Sequence, residues 1–281
     1  MTGPTVIKVG GAAIDEAATL ASIAQTIAAA HESGASLIIV HGGGAAVDQR
    51  LRDLGRDPQK IDGVRVTRAD EVSIVAGVLG GESSLALVAA LRQAGVPAVG
   101  LRLADAGVVR VAPADPRFGC VGTVDGGDAE AVGALLAAGF LPVIAPIGYH
   151  PELGLLNVNA DAAAAGIAKC VGSPRLVLLT DVSGVQDAAG RVIESLDGEA
   201  IEQLVSEGVV HGGMVAKLRN AAETAEAAGV PVCIGHAQDA AALIAVGAAA
   251  GIGTAVMPSG SGAHVGSGNT PRHTSRQDGG E

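Results

Sequence analysis

The sequence has 281 residues, enough for one large α/β domain or two lobes. Almost half are apolar, yet there is no Trp, one Tyr and only two Phe, which excludes an aromatic platform for nucleic-acid bases and leaves Ala, Val, Leu and Ile to build the core. The net charge of −11 excludes nucleic-acid binding through a global positive field, so an anionic substrate has to be met by a few individually placed Lys or Arg residues.

Taken along the chain, short apolar runs alternate with longer Ala- and Leu-rich stretches. Strands are predicted at Val6–Val9, Leu37–Val40, Ala98–Leu101, Leu141–Ala145, Leu176–Leu179, Val232–Ile234 and Thr254–Met257. Helices are predicted at 17–31, 45–54, 69–78, 85–93, 129–138, 160–171, 201–206 and 215–228, from apolar residues recurring at helical spacing. This alternation predicts an α/β fold with a mainly parallel sheet covered by helices on both faces. Val108–Thr123 is less regular and reads as hairpins over one edge of the sheet. A lobe boundary is placed near Gly172–Pro174, giving lobes over 1–173 and 174–257. Pro258–Glu281 lacks large apolar residues and reads as a disordered tail. Cys120, Cys170 and Cys233 are widely spaced, so they read as free thiols of a reducing compartment, with no metal site or disulfide framework. Residues 1–5 carry no signal peptide, and no apolar run reaches spanning length without polar breaks. A cytoplasmic protein with no membrane or nucleic-acid partner is expected.

Ligands of open parallel sheets sit beyond the C-terminal ends of the strands, so the loops after the strands hold the chemistry. Lys8 lies inside a strand and is followed by Gly10 and Gly11. Two glycines let a phosphate approach backbone N–H groups, and a core lysine is costly without an anion. The plainer reading is a Gly-Gly turn with an incidental Lys. His41-Gly42-Gly43-Gly44 ends a strand and opens a helix, where free N–H groups and the helix dipole favour a carboxylate or phosphate. It lacks the third glycine of a dinucleotide fingerprint, and no Walker A motif is present. Arg65 in Gly63-Val-Arg-Val-Thr can pair with a carboxylate, although a lone loop Arg is usually solvated.

Asn157-Val-Asn-Ala-Asp161 opens a helix with more polar groups than a cap requires. Thr180-Asp181-Val182-Ser183-Gly184-Val185 follows a strand and is equally a plain turn or a nucleotide contact. Gly212-Gly213 leads into a helix bearing Lys217 near its positive end, an unfavourable place for a cation unless it answers an anion. Two lysines, several glycine nests and one carboxylate are equipment for phosphoryl transfer by positioning and charge neutralisation. No Gly-x-Ser-x-Gly elbow, His-Glu-x-x-His motif or other metal-ligand spacing occurs.

These six motifs, in this order from about Val6 to Val256, resemble the N-acetylglutamate kinases of the amino-acid kinase superfamily. The resemblance implies a three-layer αβα sandwich with a mainly parallel central sheet. It implies an N-terminal lobe that binds the amino acid and dimerises, and a C-terminal lobe that binds ATP. Lys8 and Lys217 would neutralise the transferring phosphoryl group from opposite sides, and Asp161 would hold the two lysines. Gly10 and Gly11 would face the phosphates. Gly43, Gly44, Arg65 and Asn157 would bind N-acetyl-L-glutamate, with Asn159 near the reacting groups. Asp181–Val185 with Gly212 and Gly213 would hold ATP, and Mg²⁺ would be held mainly by the phosphates, with no protein ligand. The acceptor would be the side-chain carboxylate, a step of arginine biosynthesis.

Gly80-Gly81-Glu82-Ser83-Ser84 departs from the Gly-x-x-Asn element of relatives. A homodimer without arginine feedback is expected, because no helix precedes the first strand. Two alternatives remain open. A kinase for carrier-linked aminoadipate or glutamate is suggested by five Arg and one Lys in Arg50–Arg68, against which stands the Asn157–Asp161 motif. A non-catalytic sensor would be marked by loss of Lys8, Asp161 or Lys217, and all three are present.

Overall fold

A computed structural model describes residues 3–61, 63–180, 182–248 and 252–260. In chain order the elements are β1 (Thr5–Val9), α1 (Gly11–Asp15), α2 (Ala17–Glu32), β2 (Leu37–His41), α3 (Gly44–Asp53), β3 (Lys60–Ile61), β4 (Val64–Arg65), α4 (Val72–Gly77), α5 (Ser84–Gln93), β5 (Ala98–Arg102), β6 (Arg110–Pro113) and β7 (Val121–Gly126). They continue with α6 (Glu130–Ala137), β8 (Leu141–Ala145), β9 (Ile147–His150), β10 (Gly154–Val158), α7 (Ala160–Cys170), β11 (Leu176–Thr180), β12 (Ser195–Leu196), α8 (Gly198–Ser206), α9 (Gly213–Ala228), β13 (Val232–His236), α10 (Ala240–Val246) and β14 (Thr254–Val256).

The seven predicted strands all form, and with the short, unpredicted β12 they make one sheet ordered β12-β14-β13-β11-β1-β2-β8-β5. Its strands pair in parallel except where β13 meets β14. The sheet is continuous across the expected lobe boundary, because β1 pairs with both β2 and β11. Alternation along the strands sorts the core into two layers, since successive side chains point to opposite faces. Ile7, Val9, Leu37, Ile39, Val177 and Leu179 meet residues of α1, α2, α5 and α10, such as Ile23, Leu87 and Leu243. Val6, Ile38, Val40, Leu176 and Leu178 meet residues of α6, α7, α8 and α9, such as Val132, Ala164 and Leu218.

The irregular stretch differs from the expected edge hairpins. β6 and β7 form a separate four-stranded sheet with β10 and β9. The 147–158 segment supplies two strands that its short, Gly- and Pro-interrupted apolar runs concealed. This second sheet packs Val111, Leu156 and Val158 into the same layer as α7. Gly166 of α7 allows the close approach, since a Cβ there would meet Val124 at 2.5 Å.

The helices predicted at 69–78 and 85–93 form one continuous helical stretch, Val72–Gln93, with a π-helical turn at Val78–Ser83. The Gly80-Gly81 pair lies in that turn. The stretch has the length and composition of a membrane span, with mean hydropathy 1.8. Its Val75, Val78 and Leu79 instead pack with Val47 and Leu51 of α3, and Leu87 and Leu91 pack with α2. The expected tail lies outside the described residues from 261 onward.

His41 closes β2 and is fully buried. Its Nδ1 donates to the Gly42 carbonyl at 2.9 Å, since a carbonyl only accepts, while Nε2 has no partner among the described residues. Burial pushes the imidazole below its ordinary 6.5, with the Gly42 carbonyl opposing only in part. The neutral ring therefore favours the folded state above the unfolded pKa. As pH falls below about 6.5 the unfolded chain takes up the proton and stability declines, by up to about 1.4 kcal/mol per pH unit. Denaturant midpoints measured from pH 7.5 to 5.5 should show this slope, and His41→Gln should flatten it.

Candidate active site

Lys8 occupies the α7-facing side of β1, in line with the core residue Val6. A lysine at such a position needs an anion. It finds Asp161 of α7, with Lys8 Nζ 3.0 Å from Asp161 Oδ1 and both side chains about four-fifths buried. Asp161 sits in the first turn of α7, where the helix dipole favours a carboxylate. The run Ala162–Ala165 keeps α7 thin enough to lie against the sheet there.

Two glycine loops meet beside this pair. Gly11, just after β1, is in backbone contact with Gly43, which precedes α3. A Cβ on Gly11 would stand 2.8 Å from Gly43 Cα, and one on Gly43 would meet Ser83 Oγ at 2.7 Å. Gly10 has open space around its Cβ position and does not line the pocket. Lys8, Gly11, Gly43, Gly44, Arg65, Asn157, Asn159 and Asp161 line one cavity at the ends of β1 and β2. The β3–β4 hairpin forms a wall of it through Lys60, Gly63 and Arg65.

Arg65 is held rigidly. Its Nη2 donates to the Gly44 carbonyl at 2.9 Å and pairs with Asp48 at 2.5 Å. Lys60 meets the other Asp48 oxygen at 3.0 Å. Burial alone would raise the Asp48 carboxyl, but the hydrogen bonds and charges of Lys60 and Arg65 win and hold it below the usual range. Arg65 Nη1 is buried without a partner among the described residues. Arg65 itself lines the cavity, and a guanidinium there suits a carboxylate of a ligand.

Asn157, the penultimate residue of β10, donates through its Nδ2 to Thr67 Oγ1 at 3.0 Å. That bond turns its carbonyl oxygen away from Thr67 and fixes the amide. Asn159 is the N-cap of α7, its Oδ1 accepting from the N–H groups of Asp161 and Ala162. The capping role therefore falls to Asn159 alone, and Asn157 and Asp161 are free for other partners.

The residues expected to hold the nucleotide fall into two groups. Val182, Ser183, Gly184 and Val185 line a second cavity with Val209, Val210, His211 and Met214. Gly212, Gly213 and Lys217 lie beside it at the start of α9, but do not line it. Lys217 is exposed. Asp181 lies outside the described residues. Helix α9 joins the two regions, because Asn220 Nδ2 donates to Asp161 Oδ2 at 2.9 Å.

Sequence reasoning missed Asp48, Lys60, Thr67 and Asn220. Thr67 stood in a motif already marked, and Asn220 stands three residues after Lys217. Asp48 looked like an ordinary helix-surface residue. The basic stretch Arg50–Arg68 is largely neutralised: Arg50 pairs with Glu82, Arg56 and Arg68 with Asp70 and Glu71, and Lys60 and Arg65 with Asp48.

The profile of the amino acid kinase family matches residues 3–236. Among curated relatives, the acetylglutamate kinase of Shewanella amazonensis is 41% identical over 253 residues, covering 90% of this chain and 96% of that one. That of Shewanella baltica is 40% identical over the same length, covering 97% of the relative. A crystal structure from Streptococcus mutans UA159 superposes with a TM-score of 0.71 at 31% identity, covering 84% of this chain and 95% of that one. Carbamate kinase from Giardia lamblia, bound to AMP-PNP, shares the fold at 18% identity with a TM-score of 0.63, covering 92% and 99%.

The glycine contacts give a direct test. Gly11→Ala should force the two loops apart and lower unfolding free energy by about 1–3 kcal/mol. Gly10→Ala, with φ −67 and open space, should change it by less than about 0.5 kcal/mol. Denaturant unfolding of the two variants reads the difference.

Proposed function

The chain belongs to the amino acid kinase family, and on that premise we propose how its residues transfer the γ-phosphate of ATP to the side-chain carboxylate of N-acetyl-L-glutamate. The product is N-acetyl-L-glutamyl 5-phosphate, an intermediate of arginine biosynthesis, as in relatives 40–41% identical over nine-tenths of the chain. The observation that carries the residue assignment is the cavity joining the Lys8–Asp161 pair to Arg65 with its unpartnered Nη1.

Arg65 binds the α-carboxylate of the amino acid, held at the right angle by Asp48 and Gly44. Asn157, oriented by Thr67, offers its carbonyl oxygen to the acetamido N–H. Gly43 and Gly44 shape the wall around the substrate, and Asn159 lies at the cavity edge next to Asp161. The side-chain carboxylate is ionised near neutral pH, so no general base is needed. One of its oxygens attacks the γ-phosphorus. The new P–O bond forms as the bond to the β–γ bridging oxygen breaks, and ADP leaves with that electron pair. Lys8 neutralises charge on the γ-phosphoryl oxygens from the amino-acid side, with Asp161 setting its position. Lys217 does so from the nucleotide side. Gly10 and Gly11 face the phosphates. Asp181–Val185, Gly212 and Gly213 hold the nucleotide.

Among the described residues no three His, Cys, Asp or Glu side chains converge as ligands for a metal. Both Asp161 oxygens are already engaged by Lys8 and Asn220. Mg²⁺ is accordingly assigned to the phosphates of the nucleotide that brings it. The 1–173 portion takes the amino-acid role and 174–257 the nucleotide role, sharing one sheet. A homodimer through the N-terminal portion is favoured by the Val72–Gln93 helix, whose Leu85 is 67% exposed. A cytoplasmic setting fits a biosynthetic enzyme with free thiols at Cys120, Cys170 and Cys233. The ion-paired state of Arg50–Arg68 leaves little free positive charge for an acidic carrier, which favours the free amino acid as substrate.

With ATP, Mg²⁺ and hydroxylamine, free acetylglutamate should yield the hydroxamate. Lys8→Ala should lower kcat by about 10²-fold or more while the protein stays folded. Arg65→Ala should raise KM for acetylglutamate by about 10- to 100-fold, the loss of charge-assisted hydrogen bonds. Near-normal turnover by Lys8→Ala, or an unchanged KM in Arg65→Ala, would contradict these roles.

A further inference from the structure

We infer that Asn220 is a positioning residue for phosphoryl transfer: its amide fixes the Asp161 carboxylate and, through α9, ties the nucleotide-side lysine to the amino-acid-side pair. The inference deepens the proposed roles of Lys8, Asp161 and Lys217 and rests on them.

A carboxylate that orients a lysine must itself be prevented from turning. Asp161 Oδ1 faces Lys8 Nζ at 3.0 Å, and its other oxygen accepts from Asn220 Nδ2 at 2.9 Å. Carboxylate oxygens only accept, so the amide nitrogen, rather than the amide oxygen, has to face Asp161. The two contacts take both oxygens in different directions. Rotation about the carboxylate axis would then break at least one of them.

The amide comes from another helix. Asn220 belongs to α9 and Asp161 to α7, 59 residues apart in sequence. Lys217 lies three residues before Asn220 on α9, and residues three apart share a helix face. Gly212 and Gly213, at the start of the same helix, adjoin the second cavity. Within the apolar packing of α7 against α9, this hydrogen bond links the helix that carries Gly212, Gly213 and Lys217 to the first turn of α7. Asn is a poor helix former, yet it stands mid-helix in α9, where its amide reaches Asp161. The Thr224 hydroxyl donates to the Asn220 carbonyl at 2.6 Å, so the backbone at this position is also held.

The charged groups around the amide are Asp161 of α7 and, beyond it, Lys8 of β1. On its own helix are Lys217, Glu223 and Arg219, the last paired with Glu202 of α8. They define what a replacement carboxyl would feel. In Asn220→Asp, two carboxyls would stand at hydrogen-bond distance and share one proton, so one of them titrates above the ordinary carboxylate range. At high pH both are charged and repel. As pH falls, the new carboxyl gains a proton and donates to Asp161 as the amide did.

The test is steady-state kinetics of full-length Asn220→Ala and Asn220→Asp from pH 6 to 8, with thermal melts, beside Asp161→Asn. Asn220→Ala should lose on the order of 10-fold in kcat, the scale of a misplaced catalytic group, with KM for both substrates within about twofold. Asn220→Asp should match that loss at pH 8 and recover toward the wild-type rate at pH 6. A wild-type kcat in Asn220→Ala, with or without a lower melting temperature, would overturn the inference. So would an Asn220→Asp to wild-type ratio that is flat with pH, the outcome of a purely structural role. Should Asn220→Ala fail to fold, the near-isosteric Asn220→Asp profile decides alone. Full activity in Asp161→Asn would overturn the underlying assignment of Asp161, whereas its loss alongside unaffected Asn220 variants would overturn only the role of Asn220.

Discussion

A lysine in a core strand of an apolar sheet is the constraint around which this protein is arranged. Lys8 projects from β1 on the face that α7 covers, and a buried cation there is sustainable only beside an anion. Asp161 supplies it from the first turn of α7. The requirement that α7 begin beside the C-terminal end of β1 then fixes much else. The helix must be thin, hence its run of Ala. It must be capped at once, hence Asn159. The strand before it, β10, must deliver Asn157 to the same cavity. The ion pair lies at the point where parallel strands end, and the sheet there leaves a crevice open to a ligand.

The second determinant is close packing of backbone on backbone. Gly11 and Gly43 touch where no side chain can fit, so the loops after two adjacent strands share one cavity wall. This puts the first residues of α3 beside Lys8 and lets Arg65 reach the Gly44 carbonyl. Asp48, one turn into α3, completes the clamp on Arg65 and Lys60. The cavity wall thus carries three cations held by two fixed carboxylates, Asp161 for Lys8 and Asp48 for both Lys60 and Arg65. An overall charge of −11 is compatible with an anionic substrate because recognition is local.

Much of this was legible in the residues. Runs of three to five residues marked seven of the eight strands of the main sheet, all but the two-residue β12, and the motifs beside them marked Lys8, Gly11, Gly43, Gly44, Arg65, Asn157 and Asp161, which do meet in one cavity. The second sheet was hidden, because β9 and β10 are short and broken by Gly and Pro. The joining of 69–78 to 85–93 was hidden by Gly80 and Gly81, which favour a break but here occupy a π-helical turn. The partners that hold the site were the least visible. Asp48, Thr67 and Asn220 are ordinary helix or loop residues until the fold brings them across 17, 90 or 59 positions to Arg65, Asn157 and Asp161. Spacing along the chain marks the groups that face a ligand; it carries almost no information about the groups that steady them.

In the proposed chemistry an oxygen of the substrate's side-chain carboxylate ends bonded to the γ-phosphorus of ATP. Phosphorus NMR of the full chain with ATP, Mg²⁺ and acetylglutamate carrying heavy oxygen in its side-chain carboxylate tests this most directly. The account predicts an acyl-phosphate signal shifted by a bond from phosphorus to the heavy isotope, appearing as ADP forms. ADP formed without an acyl phosphate, or an acyl phosphate with no isotope shift, would contradict it.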